Sequence, residues 1–396
     1  MAILHLVQYS LPEIASGYTL RTQAIVREQR ALGLDPIVVT SPRHPEGDET
    51  EIDGVRHYRC RPEARRGFAL LRDARRVHHL ADRVIALAQA RGDVRVLHAH
   101  SPVLCGMAAL RAGRQLRLPI VYEVRGLWEE AMLRRGAWRR WLPRYRLARA
   151  MEVKVCRRAD AVVAISRGLQ EEFTARGVDA GRISVIPNGV DLDRFLPEVA
   201  PGSWREQHGI PDGPLILYLG ALRDYEGVGL LLEAFPLIQR QHRKAQLAIV
   251  GGGEARERVG ARANALCGVH LLAPIPPDET PRAYAAADLV VYPRLSDRAT
   301  ERVTPLKPLE AMAMGKAIVA SDVGGLRELL TDGGSAHLFP AGSVAGCAEA
   351  CARLLGNAPE RQRLGRAARE VAARHDWQAV VRSYREVYRT AAASLS

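Results

Sequence analysis

Short apolar runs alternate with longer stretches of helical periodicity along most of the chain. A buried strand followed by a helix, repeated many times, predicts parallel sheets covered by helices on both faces. Strands are predicted in the first half at residues 3–7, 37–40, 55–59, 94–98, 120–124, 161–164 and 183–186. In the second half they are predicted at residues 215–219, 247–250, 269–271, 289–291, 317–320 and 336–339. The clearest helices are predicted at 19–32, 68–90, 230–240 and 305–314.

The alternation lapses between residues 187 and 213, where turn-forming residues collect, and then restarts. A chain of 396 residues also exceeds what a single hydrophobic core usually fills. We therefore expect two Rossmann-like α/β domains, an N-terminal domain at 1–190 and a C-terminal domain at 191–375. The remaining segment, 376–396, is predicted to hold one amphipathic helix that packs back on the N-terminal domain. Open parallel sheets bind ligands at the carboxyl ends of their strands, so we expect the site in a cleft between two facing domains.

Composition favours a protein of the cytoplasm. The hydrophobic share of 47% and the charged share of 26% are ordinary for a globular protein. The six cysteines form no Cys-x-x-Cys pair, which argues against a disulfide framework and against a zinc site. The first residues predict a strand rather than a signal peptide, and no apolar run approaches the roughly 20 residues of a membrane span.

The net charge of +13 is unevenly distributed. Residues 134–158 carry ten basic side chains against one acidic side chain, Glu152. Arginines mixed with tryptophans are typical of a segment that lies on a membrane surface, although a solvated helical face is the simpler alternative. The residues expected to contact a membrane are Trp138, Arg139, Arg140, Trp141 and Arg144.

The most informative segment begins at Thr304 and runs as loop, helix, strand and a Gly-Gly turn. Pro305 suits the first turn of a helix, and the free amides of such a turn attract phosphate. Lys307 and Glu310 are three residues apart and share a helix face. A cation beside a diphosphate and a carboxylate beside ribose hydroxyls would fit this pattern, and a surface ion pair would fit it equally well.

Residues 309–329 resemble the C-terminal signature of the retaining glycosyltransferases of family 4, which have the GT-B fold. Residues 97–101, 159–166 and 185–191 also resemble segments of that family, in the same order. The motifs at 225–227 and 304–310 resemble the bacterial branch associated with exopolysaccharide and exosortase systems. The resemblance covers nearly the whole chain, and it implies that the domain at 1–190 binds the acceptor and the domain at 191–375 binds the nucleotide-sugar donor.

The resemblance implies an enzyme of polysaccharide biosynthesis that transfers a sugar with retention of anomeric configuration. It implies a UDP- or GDP-linked sugar as donor and a glycan, or a glycan linked to polyprenyl diphosphate, as acceptor. Together with the basic segment, it predicts a peripheral protein at the inner face of the cytoplasmic membrane. Nucleic acid is not expected as a partner, and no cofactor or metal ion is expected.

The resemblance implies site residues wherever a position of this sequence matches a functional position of the family's motifs. His100 matches the catalytic histidine of the cleft, and His98 is expected to point to the opposite face of its strand. The residues expected to bind the donor are Gly17, Arg223, Thr304, Leu306, Lys307 and Glu310. From the residues alone, Gly17 is equally well an ordinary turn glycine, and a single histidine is more often structural than catalytic.

The chain departs from the family at two places. The first of the two paired glutamates is replaced by Arg302, and Glu301 is one residue away from that position. Glu226 stands near the position of a lysine that the family uses for the diphosphate. Arg294, Glu301 and Arg302 are therefore further candidates for contacts to the donor sugar or phosphates. Because a diphosphate needs compensating charge, Lys307 is the favoured supplier.

Two other motifs favour structural roles. Asp191 and Asp193 could suggest a metal ion, but they lie where turns and caps favour aspartate. The three glycines at 251–253 lack the spacing of a dinucleotide fingerprint and predict a tight turn.

Two functions compete with glycosyl transfer on these observations. A sugar-nucleotide epimerase would use the same fold, and its nucleotide release would not require an acceptor. A basic nucleic-acid-binding protein would explain the charge, but the aromatic content of 5% offers few surfaces on which bases could stack.

Overall fold

The computed structural model of the protein describes residues 1–45, 49–62, 69–133 and 142–393. Contacts divide the chain into two compact units. Unit 1 comprises Met1–Asn188 and Trp377–Ser396, and unit 2 comprises Gly189–Asp376. Each unit is an α/β structure built on one sheet, which is wholly parallel in unit 2 and parallel except for one strand pair in unit 1.

The sheet of unit 1 has the order β3-β4-β2-β1-β5-β6-β7-β8, and every neighbouring pair is parallel except β3 and β4. Its strands are Ala2–Val7 (β1), Asp35–Thr40 (β2), Thr50–Ile52 (β3), Val55–Tyr58 (β4), Val94–His100 (β5), Ile120–Val124 (β6), Ala161–Ala164 (β7) and Ile183–Val185 (β8). The α-helices of unit 1 are Gly17–Ala31 (α1), Ala69–Arg91 (α2), Val103–Leu116 (α3), Pro143–Arg158 (α4) and Arg167–Ala175 (α5), followed at the C-terminus by Trp377–Arg382 (α15) and Tyr384–Ala393 (α16). A 3-10 helix spans Trp128–Leu133.

The sheet of unit 2 is parallel throughout, with the order β11-β10-β9-β12-β13-β14. Its strands are Leu215–Leu219 (β9), Gln246–Val250 (β10), Val269–Leu272 (β11), Leu289–Tyr292 (β12), Ile318–Ser321 (β13) and His337–Phe339 (β14). Its α-helices are Trp204–Gln207 (α6), Val228–Gln241 (α7), Arg256–Ala263 (α8), Thr280–Ala286 (α9), Arg298–Arg302 (α10), Lys307–Ala313 (α11), Gly324–Arg327 (α12), Val344–Leu355 (α13) and Ala358–Ala373 (α14).

The four inner strands of unit 2, β10, β9, β12 and β13, are buried on both faces. Along β9, Leu215, Leu217 and Leu219 belong to one hydrophobic cluster, whereas Ile216 and Tyr218 belong to another on the opposite side. Continuous apolar strands of this kind are what a parallel sheet between two helical layers requires. The arrangement confirms the predicted fold class.

The predicted strands are all present, and among the described residues one further strand, β3, was not predicted. Two further predictions need correction. The C-terminal segment forms two helices, α15 and α16, rather than one. The helix predicted from Pro305 begins at Lys307, and the proline in its first turn is Pro308.

The C-terminal helices complete unit 1. Helix α15 packs against α1, and α16 packs against β6 and β7. The Tyr384 hydroxyl donates to Glu123 Oε2 over 2.5 Å and accepts from Arg21 over 3.1 Å. Among the described residues, no helix combines the length and the apolar character needed to cross a membrane.

Replacing Tyr384 with phenylalanine should lower the free energy of unfolding by about 1–3 kcal/mol, because Glu123 Oε2 loses a hydrogen bond where water does not reach. Equilibrium urea unfolding measures the loss. Tyr225→Phe is the matched control, since that hydroxyl contacts only the exposed Arg223 in the described structure, and its cost should stay within about 0.5 kcal/mol. Equal losses in the two variants would contradict the anchoring role of Tyr384.

Candidate active site

A chain of polar side chains crosses the sheet of unit 1 at the ends of β1, β5 and β6. Arg125 donates to Nδ1 of His100 over 2.6 Å, and Nε2 of His100 lies 2.9 Å from Nδ1 of His5. His5 Nε2 lies 2.8 Å from the side-chain oxygen of Gln29. Because the guanidinium can only donate, His100 must carry its proton on Nε2 and His5 must carry its own on Nε2.

The same series of hydrogen-bonded side chains continues to helix α16. Gln29 donates to the Tyr388 hydroxyl over 2.6 Å, and that hydroxyl lies 2.9 Å from Nδ1 of His98. Nε2 of His98 then faces Glu123 Oε2 at 3.4 Å. The direction of donation is consistent from Arg125 through His100, His5, Gln29 and Tyr388 to His98. Nε2 of His98 faces the carboxylate of Glu123 but makes no hydrogen bond among the described residues.

The carboxylate of Glu123 is fully buried and carries the negative charge of this network. Its Oε1 accepts from Arg125 over 2.7 Å and from Arg21 over 3.0 Å. Burial alone would raise the pKa of Glu123, but the two guanidinium groups outweigh it and hold the pKa well below its usual range. Arg21 also donates to the carbonyls of Ile186 and Pro187, which fixes the end of the N-terminal half.

Burial holds the pKa of all three histidines below the ordinary value of an imidazole. The nearby charge of Arg125 lowers the pKa of His100 further. These groups are therefore neutral at pH 7, in agreement with the tautomers that the hydrogen bonds require.

The structure places His100 in the wall of unit 1 with none of its side chain exposed, and both ring nitrogens face protein groups. Its predicted catalytic role stays a prediction. The prediction that His98 points to the opposite face is wrong, because residues two apart in a strand share a face. The rings of His98 and His100 lie 4.2 Å apart, centroid to centroid, in one network.

The three histidines offer nitrogens within 4.8 Å of one another, a spacing compatible with metal ligands. The nitrogens of two of them are already used: His100 holds Arg125, and His5 links His100 to Gln29. Nε2 of His98 makes no hydrogen bond among the described residues. A cation there would stand beside the Arg125 guanidinium, and the prediction that the reaction needs no metal ion stays a prediction.

The loop before α1 presents Gly17 to solvent at the first position of the helix. Ser16 and Thr19 form a reciprocal capping box that fixes the start of the helix. The preceding loop is held by the buried Arg59, which donates to Ser10 over 2.6 Å and to Glu13 over 3.0 Å. The amide of Gly17 is thus presented on a rigid support.

In unit 2, the first turn of α11 rests on two buried tyrosines. The Tyr292 hydroxyl donates to the carbonyl of Lys307 over 2.9 Å, and the Tyr284 hydroxyl donates to Glu310 over 3.3 Å. Lys307 Nζ lies 3.0 Å from Glu310 Oε2. Both charged ends keep partial contact with solvent, so a ligand can reach them.

Glu226, which stands near the expected position of a lysine, pairs with Arg294. Both carboxylate oxygens accept from this guanidinium at 3.2 Å, and Arg294 also lies over the ring of Tyr225. The peptide carbonyl of Pro293 approaches Gly227 so closely that an added Cβ would lie 1.8 Å from it. With φ at +72°, Gly227 tolerates a conformation that other residues rarely adopt.

Glu301 is turned toward the Gly-Gly turn rather than held free for a sugar. Its Oε2 accepts from the amide of Gly324 over 2.7 Å, and its Oε1 accepts from Ser296 over 2.7 Å. An added Cβ at Gly324 would lie 2.3 Å from the carbonyl of Glu301, which explains the glycine. The carboxylate therefore has a structural use in this conformation.

The other candidates are placed as follows. Thr304 is buried, while Leu306 and Arg302 are half-buried. Arg223 is exposed and donates to the Tyr225 hydroxyl. On the acceptor side, Arg144 is exposed on α4. The predicted membrane contacts Trp138, Arg139, Arg140 and Trp141 lie outside the described residues.

The motifs expected to be structural are turns. Asp191 caps its own turn by accepting from the amide of Arg194 over 3.1 Å. At 251–253, the amide of Leu222 donates to the carbonyl of Gly252, which joins this turn to the loop after β9.

Sequence reasoning missed Glu123, Arg125 and Arg21. A signal existed in Glu123, because a carboxylate inside an otherwise apolar strand must find a buried partner. The identity of the partner was not encoded locally, since Arg21 lies on another element.

The buried, neutral histidines predict that the free energy of unfolding decreases as the pH is lowered below neutrality. In the folded state the pKa values of His5, His98 and His100 are lowered, and burial also lowers the pKa of His57, to about 4. Below about pH 6.5 the unfolded chain therefore binds more protons than the folded chain, by up to about 1.4 kcal/mol per pH unit for each proton. Burial raises the pKa of Glu152 to about 8, which acts in the opposite direction but involves one proton only.

Urea unfolding between about pH 7 and pH 5 should show this decrease. His98→Gln should make the pH dependence less steep by about one proton, whereas His79→Gln, at an exposed position, serves as the control. A free energy of unfolding that is independent of pH in this range would contradict the neutral network.

Comparison with known protein families identifies each of the two units. The family model described as "Glycosyl transferase 4-like domain" matches residues 16–189, and the model described as "Glycosyl transferases group 1" matches residues 213–357. The two matches lie in unit 1 and unit 2, respectively.

Two curated relatives illustrate the range of similarity. The sulfoquinovosyl transferase SQD2 of Arabidopsis thaliana is 27% identical over 391 residues, which is 95% of this chain and 71% of the relative. A phosphatidyl-myo-inositol mannosyltransferase of Mycobacterium leprae is 34% identical over 239 residues, which is 59% of each chain. The chain thus spans more than two thirds of the plant relative and less than two thirds of the mycobacterial one.

Two solved structures share the fold. The sucrose-phosphate synthase of Thermosynechococcus elongatus superposes with a TM-score of 0.81 at 22% identity, over 100% of both chains. Anabaena HepE in complex with UDP-glucose superposes with a TM-score of 0.76 at 19% identity, over 98% of both chains. These structures show the fold, and the family models carry the assignment: because a glycosyl transferase model matches each unit, the protein is a glycosyltransferase of the group 1, family 4-like type.

Proposed function

We propose that this protein transfers a sugar from a nucleoside diphosphate sugar to a hydroxyl group of a glycan or lipid-linked glycan, with retention of the anomeric configuration. The observation that carries the proposal is the first turn of α11. A lysine and a glutamate project there from a helix start that two buried tyrosines hold in place.

The donor would exchange the internal ion pair for contacts of its own. Lys307 Nζ moves from Glu310 to the diphosphate, and the freed carboxylate accepts from the ribose hydroxyls. The complex of HepE with UDP-glucose supports a donor of this class on this fold. Thr304 and Leu306 shape the approach to the turn, and Arg223 and Arg294 supply further positive charge nearby.

The chemical step needs little from the protein besides position and charge. As the bond between sugar and phosphate breaks, the leaving diphosphate gains negative charge, which Lys307 and the backbone amides of the helix start stabilise. The acceptor hydroxyl attacks from the same face and gives its proton to the departing phosphate. We propose that no metal ion takes part, because these cations and amides supply the compensating charge.

The acceptor is proposed to be a glycan on a polyprenyl-diphosphate or similar lipid, as in the exopolysaccharide systems that the motifs resemble. The name of the mycobacterial relative, phosphatidyl-myo-inositol mannosyltransferase, includes a phospholipid, which supports a lipid-linked substrate class. Helix α4 supports it physically, because Arg144, Arg146 and Arg149 are all exposed. We therefore propose reversible association with the inner face of the cytoplasmic membrane.

Replacing Glu310 with glutamine should weaken the binding of UDP or GDP by about 1–3 kcal/mol, since a charged acceptor for two hydroxyls is lost. Isothermal calorimetry with both nucleotides measures the change. Glu349→Gln, an exposed glutamate on α13, removes the same charge from unit 2 and should leave binding unchanged. Unchanged affinity of the Glu310 variant for whichever nucleotide the wild type binds would refute the ribose contact.

Replacing His100 with alanine should lower turnover and leave nucleoside diphosphate binding nearly intact, because His100 lies in unit 1 and Glu310 lies in unit 2. Steady-state assays and calorimetry give the two readouts, and urea unfolding verifies that the variant is folded. If the bare nucleotide no longer binds to the folded variant, His100 does not act on the acceptor side.

A further inference from the structure

A groove runs along the surface of unit 1 between α3 and α4. It contains two cavities, of about 190 and 840 Å³, that share Met107 and Met151 as walls. The two cavities are therefore adjoining parts of one groove. Their linings differ in character, and the difference indicates the kind of ligand.

The smaller cavity is mainly apolar. Val77 of α2, Leu104 of α3 and Trp128 of the 3-10 helix line it together with Leu147 of α4. Leu147 leaves 43% of its surface exposed, and Leu71, one turn before the cavity on α2, leaves 62% exposed. Exposed apolar surface beside an apolar cavity is unfavourable in water unless a ligand or a membrane covers it.

The larger cavity is basic. Arg111 and Arg114 of α3 and Lys154 and Arg158 of α4 line it, and the described lining contains no carboxylate. Arg111 lies 3.5 Å from Asp82, but this pair is exposed and so contributes little. Four cations around one cavity can bind an anion that carries more than one negative charge. They can also bind a phosphate diester that belongs to a negatively charged surface.

We propose that this groove binds one anionic phospholipid of a membrane surface. Its acyl chain occupies the apolar cavity, and its phosphate lies among the four cations of the basic cavity. Methionine walls suit a flexible chain, because the unbranched thioether adapts its shape. A soluble phosphate would leave the apolar cavity unexplained, whereas an amphiphile satisfies both halves of the groove.

This inference rests on the proposed membrane association and deepens it by naming a lipid site. Basic residues near an anionic surface act at a distance and need no defined pocket. A lipid acyl chain bound in the apolar cavity, by contrast, requires the lipid to contact the protein at this cavity. Binding to vesicles and occupation of the groove can therefore be measured separately, and neither measurement needs sugar donor or acceptor.

The first measurement is co-sedimentation with phosphatidylcholine vesicles that contain or lack phosphatidylglycerol. The fourfold variant R111Q/R114Q/K154Q/R158Q should lose at least about tenfold in apparent affinity for the anionic vesicles. The matched control R240Q/R243Q/R353Q/R366Q removes the same charge at exposed positions of unit 2 and should stay within about twofold of the wild type. Equal losses in both variants would assign binding to net charge and overturn the site.

The second measurement uses the fluorescence of Trp128 with phosphatidylglycerol brominated on its acyl chain. In W138F/W141F the other tryptophans, Trp204 and Trp377, are 1% and 6% exposed, so quenching reports Trp128. We expect the brominated lipid to quench Trp128 in W138F/W141F, and we expect this quenching to be lost when the four substitutions of the fourfold variant are added. Binding of W138F/W141F to anionic vesicles without quenching would overturn the groove and leave membrane association standing. Absence of any binding of the wild-type protein to anionic vesicles at low salt would overturn both proposals.

A third measurement separates lipid from free phosphate. Thermal unfolding in millimolar inorganic phosphate should show less stabilisation than with phosphatidylglycerol vesicles, because only the lipid fills the apolar cavity. Equal stabilisation by phosphate alone would assign the four cations to a soluble anion and contradict the lipid.

Discussion

The N-terminal unit depends on the neutralisation of one buried carboxylate. Glu123 sits at the end of a central strand with no solvent contact, and a lone charge there would cost far more than a folded domain can supply. Arg21 and Arg125 neutralise that charge with their guanidinium groups, and Tyr384 adds a hydrogen bond from the C-terminal helix α16. Three remote parts of the chain are thereby brought to one point.

Removing one member of such a network leaves a buried charge without its partner, which costs more than the pair contributes. The consequence is that the strand ends facing the predicted acceptor site are held in one arrangement. His100 is fixed within that arrangement from both of its ring nitrogens. Rigid placement of this kind is what a reaction that depends on position, with no protein nucleophile, requires.

In unit 2 the charges near the predicted donor site are arranged differently. Two of the cations there are paired with carboxylates, Lys307 with Glu310 and Arg294 with Glu226. The replacement of an expected lysine by Glu226 is thus accompanied by an arginine on a neighbouring segment. In the absence of ligand the pairs limit the cost of holding like charges together, and an entering diphosphate must compete with the carboxylates for them.

The strand and helix pattern was predictable because parallel sheets leave continuous apolar runs in the sequence. The missed strand β3 is short and polar, and its partner follows across Asp53-Gly54, a turn signal that would have predicted the hairpin. The error on His98 came from applying the two-residue period of a strand incorrectly. The pairing of Arg21 with Tyr384 spans most of the chain, and no local pattern encodes it.

The return of α15 and α16 to the first unit makes the second unit an insertion within it. The inserted part begins and ends side by side, because the amide of Val190 donates to the carbonyl of His375 over 2.8 Å. During synthesis the strands of the first unit are made before the second unit, whereas helices α15 and α16 are made after it. The hydrogen bond that Tyr384 donates to Glu123 therefore cannot form until the second unit has been synthesised, so the unit that is begun first is completed only after its neighbour.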